Sequence, residues 1–212
     1  MTKVKICGIT NMEDARHAVE CGADELGFNF YPKSPRCISA DRAGDIASRV
    51  PSHVLKVGVF VNESRKQILK TAKDAGLDAI QLHGDEDLKF VSDLFKNSGL
   101  LVIKAVRPQT YYDAMDALDI DAHAILVDAF STSEYGGTGL KANWERASEI
   151  WTFNSMIYLA GGLVPSNVAD AIQAVHPYAV DVASGVESSP GKKDPPKVEA
   201  FIEAVRKTAI SY

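Results

Sequence analysis

Residues 4–30 read VKICGITNMEDARHAVECGADELGFNF and hold one complete structural unit. A short apolar run, Val4–Cys7, leads to Thr10 or Asn11 as a capping residue, then to an amphipathic stretch, Met12–Glu20, that stops at Gly22. A second run, Glu25–Phe30, begins directly afterwards. Thr and Asn cap helices because their side-chain oxygens accept an N–H of the first turn. Glycine ends helices because it accepts left-handed backbone. The unit therefore reads strand, helix, strand.

The same alternation runs to the end of the chain. Further apolar runs lie at Val54–Val61, Ala79–Leu82, Leu100–Ala105, Ala124–Val127, Met156–Ala160 and Ala179–Val182, which makes eight. Divided among eight, the 212 residues give about 26 per unit, enough for a strand, a helix and two short loops. Ser64 caps a predicted helix over Arg65–Ala75, Pro165-Ser166 opens Asn167–Val175, and Pro195-Pro196 opens Lys197–Thr208. Pro108 interrupts the segment before β-run six, leaving a short helix at Tyr111–Leu118.

Strands alternating with helices over short connections imply a parallel sheet, because each crossover must return over the sheet face. Eight such units predict a closed (β/α)8 barrel, the TIM barrel, as one α/β domain spanning residues 1–212. The rival is a doubly wound open sheet. It usually carries a glycine-rich turn after the first strand, where this chain has only Gly8.

Composition narrows the function classes. Lys and Arg total 23 against 28 Asp and Glu, a net charge of -5, so a broad nucleic-acid-binding surface is not expected. Cys7, Cys21 and Cys37 are an odd set with no C-x-x-C pair, and the histidines show no ligand spacing. Neither a disulfide framework nor a metal site is predicted, and no cofactor motif is present. No apolar run approaches the ~18 residues of a membrane span, and the N-terminus has no signal-peptide core. A protein of the reducing cytoplasm, with no membrane or nucleic-acid partner, is the expectation.

Side chains alternate sides along a strand, so parity near each C-terminal end predicts what faces the barrel interior. Branched residues such as Val4, Ile6, Ile80, Leu82, Ile125, Val127, Val180 and Val182 suit the face that packs on helices. The opposite face then carries Lys5, Cys7, Gln81, His83, Lys104, Asp128 and Asp181. Strands of parallel sheets normally read as continuous apolar runs, since buried polar groups must find partners. A one-sided set of titratable groups at strand ends points to a site at the C-terminal rim, where barrel enzymes place their chemistry.

Several groups at that rim carry specific chemistry. Cys7 ends strand one with Lys5 two residues earlier on the same face, and a neighbouring ammonium favours thiolate. A carboxyl at Asp128 facing that thiol across the barrel mouth would form an acid/base pair. Taken singly, Cys7 reads as a small core residue and Asp128 as an acceptor for loop N–H groups. Gly161-Gly162 after strand seven and Ser184-Gly185 after strand eight let backbone N–H groups approach an anion, in the two loops that form the phosphate site of many barrels. Arg36, behind Pro35, suits bidentate capture of a carboxylate. Gly136-Gly137-Thr138-Gly139 reads as part of a long loop, and Lys192-Lys193 as a solvated turn.

These stretches together resemble the phosphoribosylanthranilate isomerase family. The resemblance runs from Lys5-Ile6-Cys7-Gly8-Ile9-Thr10 through Ser34-Pro35-Arg36, Val57-Gly58-Val59-Phe60 and Gln81-Leu82-His83-Gly84-Asp85-Glu86. It continues through Gly136–Gly139 and Leu159-Ala160-Gly161-Gly162-Leu163 to Asp181–Glu187 and Pro190–Asp194, covering essentially the whole chain. It implies the Amadori rearrangement of N-(5-phosphoribosyl)anthranilate to 1-(2-carboxyphenylamino)-1-deoxyribulose 5-phosphate, in tryptophan biosynthesis and without a cofactor. On that reading Asp128 is the general acid and Cys7 the general base, and Arg36 holds the anthranilate carboxylate. Gly161, Gly162, Ser184 and Gly185 hold the phosphate, while Gln81, His83 and Asp181 bind or orient substrate hydroxyls. Ala183, where a serine is usual, and Leu140–Trp144, where a Phe-Asp-Trp-like run is usual, depart from the pattern.

Two other readings compete. A phosphosugar epimerase on the same barrel would rely on paired acidic residues and a metal. A silent barrel would bind a phosphorylated metabolite without turning it over. The small-molecule phosphosugar partner is common to all three, and the sequence leaves a monomer and a homodimer equally open.

Overall fold

The computed structural model describes residues 1–128, 144–151 and 156–208. Eight strands, β1 (Lys3–Cys7), β2 (Glu25–Asn29), β3 (Leu55–Phe60), β4 (Ala79–Leu82), β5 (Leu101–Val106), β6 (Ala124–Val127), β7 (Ile157–Leu159) and β8 (Ala179–Val182), match the eight apolar runs. They pair in chain order, all parallel, and β8 closes on β1 with Lys5 opposite Asp181. The expected barrel is therefore the observed one, and the open sheet is excluded.

Among the described residues, eight helices follow the strands: α1 (Met12–Glu20), α2 (Ala40–Ala47), α3 (Arg65–Asp74), α4 (Leu88–Asn97), α5 (Tyr111–Asp116), α6 (Trp144–Trp151), α7 (Val168–Val175) and α8 (Pro195–Lys207). Local chemistry sets their starts. Asn11 Oδ1 accepts from Asp14 N, Ser64 Oγ from Gln67 N, and Asp194 Oδ1 from Lys197 N. α8 begins at Pro195 rather than Lys197, because proline is at home in a first turn whose N–H groups have no intrahelical acceptor. The short helix at Tyr111 ends at Asp116 and tightens into a 3-10 turn over Ala117–Asp119.

Two apolar layers share the sheet between them. Val4, Ile6, Leu26, Phe28, Ile80, Leu82, Ile125, Val127, Val180 and Val182 pack outward with the helices. Val57, Ala79, Ile103, Ala105, Ala124, Leu126, Tyr158 and Ala179 fill the barrel. This division confirms the predicted parity on β1, β4, β6 and β8 and corrects it on β5. Lys104 pairs with Leu82 and Ile125, both outward residues, while Ile103 and Ala105 point inward. Lys104 is nevertheless buried, its ammonium held by Glu86 Oε2 at 2.6 Å and the Gly84 carbonyl at 2.7 Å. A lysine with its own carboxylate can stand in the helix-facing layer, so charge alone was a poor guide to the inner face there.

Candidate active site

A cavity of about 630 Å3 opens at the C-terminal ends of the strands, lined by residues that include Cys7, Arg36, Gln81, His83, Asp128 and Asp181. Gly161, Gly162, Ser184 and Gly185 complete its far wall. The ten residues given catalytic or binding roles from the sequence therefore border one space, while Lys5 and Lys104 do not line it. Cys7 closes β1 and Asp128 follows β6; in the ring, two strands separate them on one side and four on the other. Gly136–Gly139 and Leu140–Asn143 lie outside the described residues.

Cys7 stands opposite Gly27 in the β1–β2 register, and a methyl group on Gly27 would come within 2.7 Å of its sulfur. Glycine at that position is what makes room for the thiol. Lys5, completely buried, reaches Asp181 Oδ1 at 2.9 Å. Burial works against its charge, but Asp181, with Cys7 and Glu25 behind it, holds the ammonium above the usual lysine range. Lys5 does favour the thiolate, as expected, but it is outweighed. Burial dominates and pushes the thiol up, and Asp181 adds to the rise, against the opposing pull of Lys5 and Lys193.

Asp128 sits at the end of a relay. Gln81 Nε2 donates to His83 Nδ1 at 2.8 Å, and His83 Nε2 then carries its hydrogen toward Asp128 Oδ2 at 2.9 Å. The His83 carbonyl is itself pinned by Arg107 Nη2 at 2.7 Å. Gln81 and His83 therefore stand beside the carboxyl group that they orient, and both also face the cavity.

Arg36 makes the bidentate carboxylate contact that its chemistry favours, and its partner is a residue of the chain. Nε donates to Glu187 Oε1 at 2.8 Å and Nη2 to Oε2 at 2.7 Å. Despite burial, these bonds and the charge of Lys193 hold Glu187 below the usual carboxylate range. Gly8, with φ +79°, lets the Arg36 stem pass, since a Cβ there would meet its Cδ at 2.6 Å.

The two glycine loops meet face to face. Gly161 and Gly162 take φ of +83° and +66°. A Cβ on Gly185 would lie 1.9 Å from the Leu163 carbonyl, so only glycine allows that approach. Ser184–Val186 forms a single 3-10 turn. Among the described residues the N–H groups of Gly161, Gly162, Ser184 and Gly185 find no backbone acceptor. Such groups bordering a cavity are suited to an anion.

Three members of this region carried no functional reading in the sequence. Glu25 opens β2 inside the barrel, where Tyr158 donates to it at 2.7 Å. Burial raises its carboxyl to about 6. The parity of Gly27, which faces Cys7, would have placed Glu25 on the inner face. Glu187 and Lys193 belong to a small hairpin, β9 (Glu187–Ser189) and β10 (Lys192–Lys193). Lys193 is not the solvated residue expected: it is 2% exposed. No sequence period marks it, because the partners that bury it include Cys7 and Asp14 at the far end of the chain. Among the described residues, no group of His, Cys, Asp and Glu side chains is arranged to hold a metal ion.

Comparison with known proteins bears directly on this arrangement. The family model described as N-(5'phosphoribosyl)anthranilate (PRA) isomerase matches residues 4–204. An N-(5'-phosphoribosyl)anthranilate isomerase of Trichlorobacter lovleyi is 48% identical over 202 residues, covering 95% of this chain and 97% of that one. A crystal structure of phosphoribosyl anthranilate isomerase in complex with reduced 1-(o-carboxyphenylamino)-1-deoxyribulose 5-phosphate is 43% identical, with TM-score 0.87 over 97% of this chain and 99% of the other. A third, of monomers of dimeric phosphoribosylanthranilate isomerase from Thermotoga maritima, is 42% identical with TM-score 0.87 and the same coverages, 97% and 99%.

Proposed function

The chain belongs to the N-(5'-phosphoribosyl)anthranilate isomerase family and is thus an isomerase of tryptophan biosynthesis; on that premise we propose that Cys7 and Asp128 carry out its chemistry as base and acid. The observation behind the assignment is that a thiol at the end of β1 and a carboxyl group after β6 border the same cavity. An aldose-to-ketose rearrangement needs one proton donor and one acceptor beside the sugar, and this pair supplies both.

In the first step Asp128 gives a proton to the ribose ring oxygen. The bond from that oxygen to C1 breaks, and the anthranilate nitrogen forms a double bond to C1, opening the sugar as a protonated Schiff base. Cys7, as thiolate, then takes the proton from C2, and those electrons form a C1–C2 double bond while neutralising the nitrogen. The enolamine becomes the ketone when C1 gains a proton and the C2 hydroxyl loses one, which restores the thiolate and the acid. His83, with Gln81 behind it, keeps the Asp128 carboxyl oriented by donating its Nε2 hydrogen to Oδ2.

Substrate is held from both ends. The N–H groups around Gly161, Gly162, Ser184 and Gly185 bind the phosphate, and Arg36, aimed by Glu187, meets the anthranilate carboxylate. Asp181 orients a sugar hydroxyl from its place beside Lys5. Breaking a buried ion pair of this kind costs ~3–5 kcal/mol, so Asp181 has a folding role as well. These local donors act within the ~8 Å reach of charges in physiological salt, which lets them outweigh the net charge of -5. The enzyme acts in the cytoplasm as a monomer or homodimer, a dimeric relative being known in this family.

Arg36→Ala tests the substrate-end assignment. Removing a charge-assisted bond of ~1.5–3 kcal/mol should raise KM roughly 10- to 100-fold with kcat nearly unchanged, followed by loss of anthranilate-type fluorescence. An unchanged KM would remove Arg36 from the binding of the carboxylate.

A further inference from the structure

The Lys193 side chain is buried, yet the reaction just described makes no use of it. Its ammonium has three N–H donors and three acceptors: the Cys7 carbonyl at 2.6 Å, the Ala183 carbonyl at 3.1 Å and Glu187 Oε1 at 3.1 Å. Each acceptor belongs to a different part of the site. Cys7 carries the base, Ala183 immediately precedes Ser184-Gly185 of the phosphate loop, and Glu187 grips Arg36 through both carboxylate oxygens. The Lys193 backbone is anchored as well, since its N–H donates to Asp14 Oδ2 at 2.8 Å in the first turn of α1.

We propose that Lys193 is a positioning residue for the isomerisation, a single ammonium that sets the base, the phosphate loop and the carboxylate-binding arginine in register with one another. The inference rests on the assignment of Cys7 as the base. A surface ion pair would not do this, because it would exchange partners with water. Burial with all three donors engaged fixes one geometry. The position also makes the charge felt at the sulfur. The charged groups acting on the Cys7 thiol are Lys5 on its own strand, Asp181 on β8 and Lys193 on β10, while β2 places Gly27 opposite it and the inward carboxyl of Glu25 opposite Lys5. Lys193 and Lys5 pull the thiol toward ionisation and Asp181 opposes them.

Lys193→Met keeps the unbranched stem as far as Cε and removes the charge and donors. In a Cys21→Ser/Cys37→Ser background, the pH dependence of iodoacetamide alkylation then reports Cys7 alone. We expect the alkylation midpoint to move to higher pH by about one unit, kcat/KM to fall ~10²-fold from the lost alignment, and KM to rise along with the fall in kcat. Lys193→Arg should retain the parental midpoint, because the charge is kept. If Met at this position does not fold, Lys193→Gln, with two donors and no charge, is read the same way. An unmoved midpoint in the folded uncharged variant, or loss of folding in both Met and Gln variants, would overturn the proposal; the second result would assign Lys193 to stability. Alkylation does not depend on what Cys7 does in turnover. An active Cys7→Ala enzyme would therefore defeat the base assignment separately.

Discussion

Cys7→Ala lowers kcat by ~10²–10⁴-fold, the range for loss of a positioned general base, and leaves the circular-dichroism spectrum unchanged. The fold tolerates the change because what Lys193 grips is the Cys7 backbone carbonyl, which alanine keeps. The side chain loses only a sulfur at the cavity wall. The pH profile of the parent enzyme carries a second signature. Burial pushes the thiol up from its ordinary value, so the thiolate is a minor form at neutral pH and its population grows as pH rises. The base-dependent limb of kcat/KM should therefore climb through the neutral range and into the alkaline, and Cys7→Ala should flatten it. A folded alanine variant with near-parental turnover would end the assignment.

Asp128→Asn is expected to reduce kcat by a similar ~10²–10⁴-fold. Asparagine is close in size, and its carbonyl oxygen can still accept the His83 Nε2 hydrogen now given to Asp128 at 2.9 Å. The relay from Gln81 through His83 survives in outline, while the transferable proton does not. Because the lost group acts on the ring oxygen and not in binding, KM should change little. Full activity with asparagine, or a loss confined to KM, would assign Asp128 to substrate binding.

The legible part of the fold was the part controlled by short range. Apolar runs bounded by Gly, Pro and capping residues marked all eight strands, and the Asn11, Ser64 and Pro195 signals marked three helix starts. Parity identified Cys7, Gln81, His83, Asp128 and Asp181, because period two is a property of the strand itself. It failed at Lys104, whose carboxylate partner Glu86 lies in the loop between β4 and α4 and makes burial on the helix side tolerable. The electrostatic reading of Cys7 had the sign of Lys5 right and missed what opposes it, for a related reason. Lys5 pairs with Asp181 across the β1–β8 seam that closes the barrel, and the seam joins residues 176 positions apart. Lys193 reaches the Cys7 carbonyl over 186 positions. Such contacts exist only after the ring has closed, so no local pattern records them.

The proposed mechanism requires Cys7 and Asp128 to address different atoms of one sugar. A crystal structure of this protein with a reduced 1-deoxyribulose 5-phosphate product analogue measures that directly. The prediction is that Cys7 Sγ lies about 3–3.5 Å from C2, within near-attack range. An Asp128 oxygen should stand within hydrogen-bond distance of the oxygen released from the ring, with the phosphate against Gly162 and Gly185. A complex with the phosphate at the opposite wall, or with the sulfur beyond reach of C2, would contradict it.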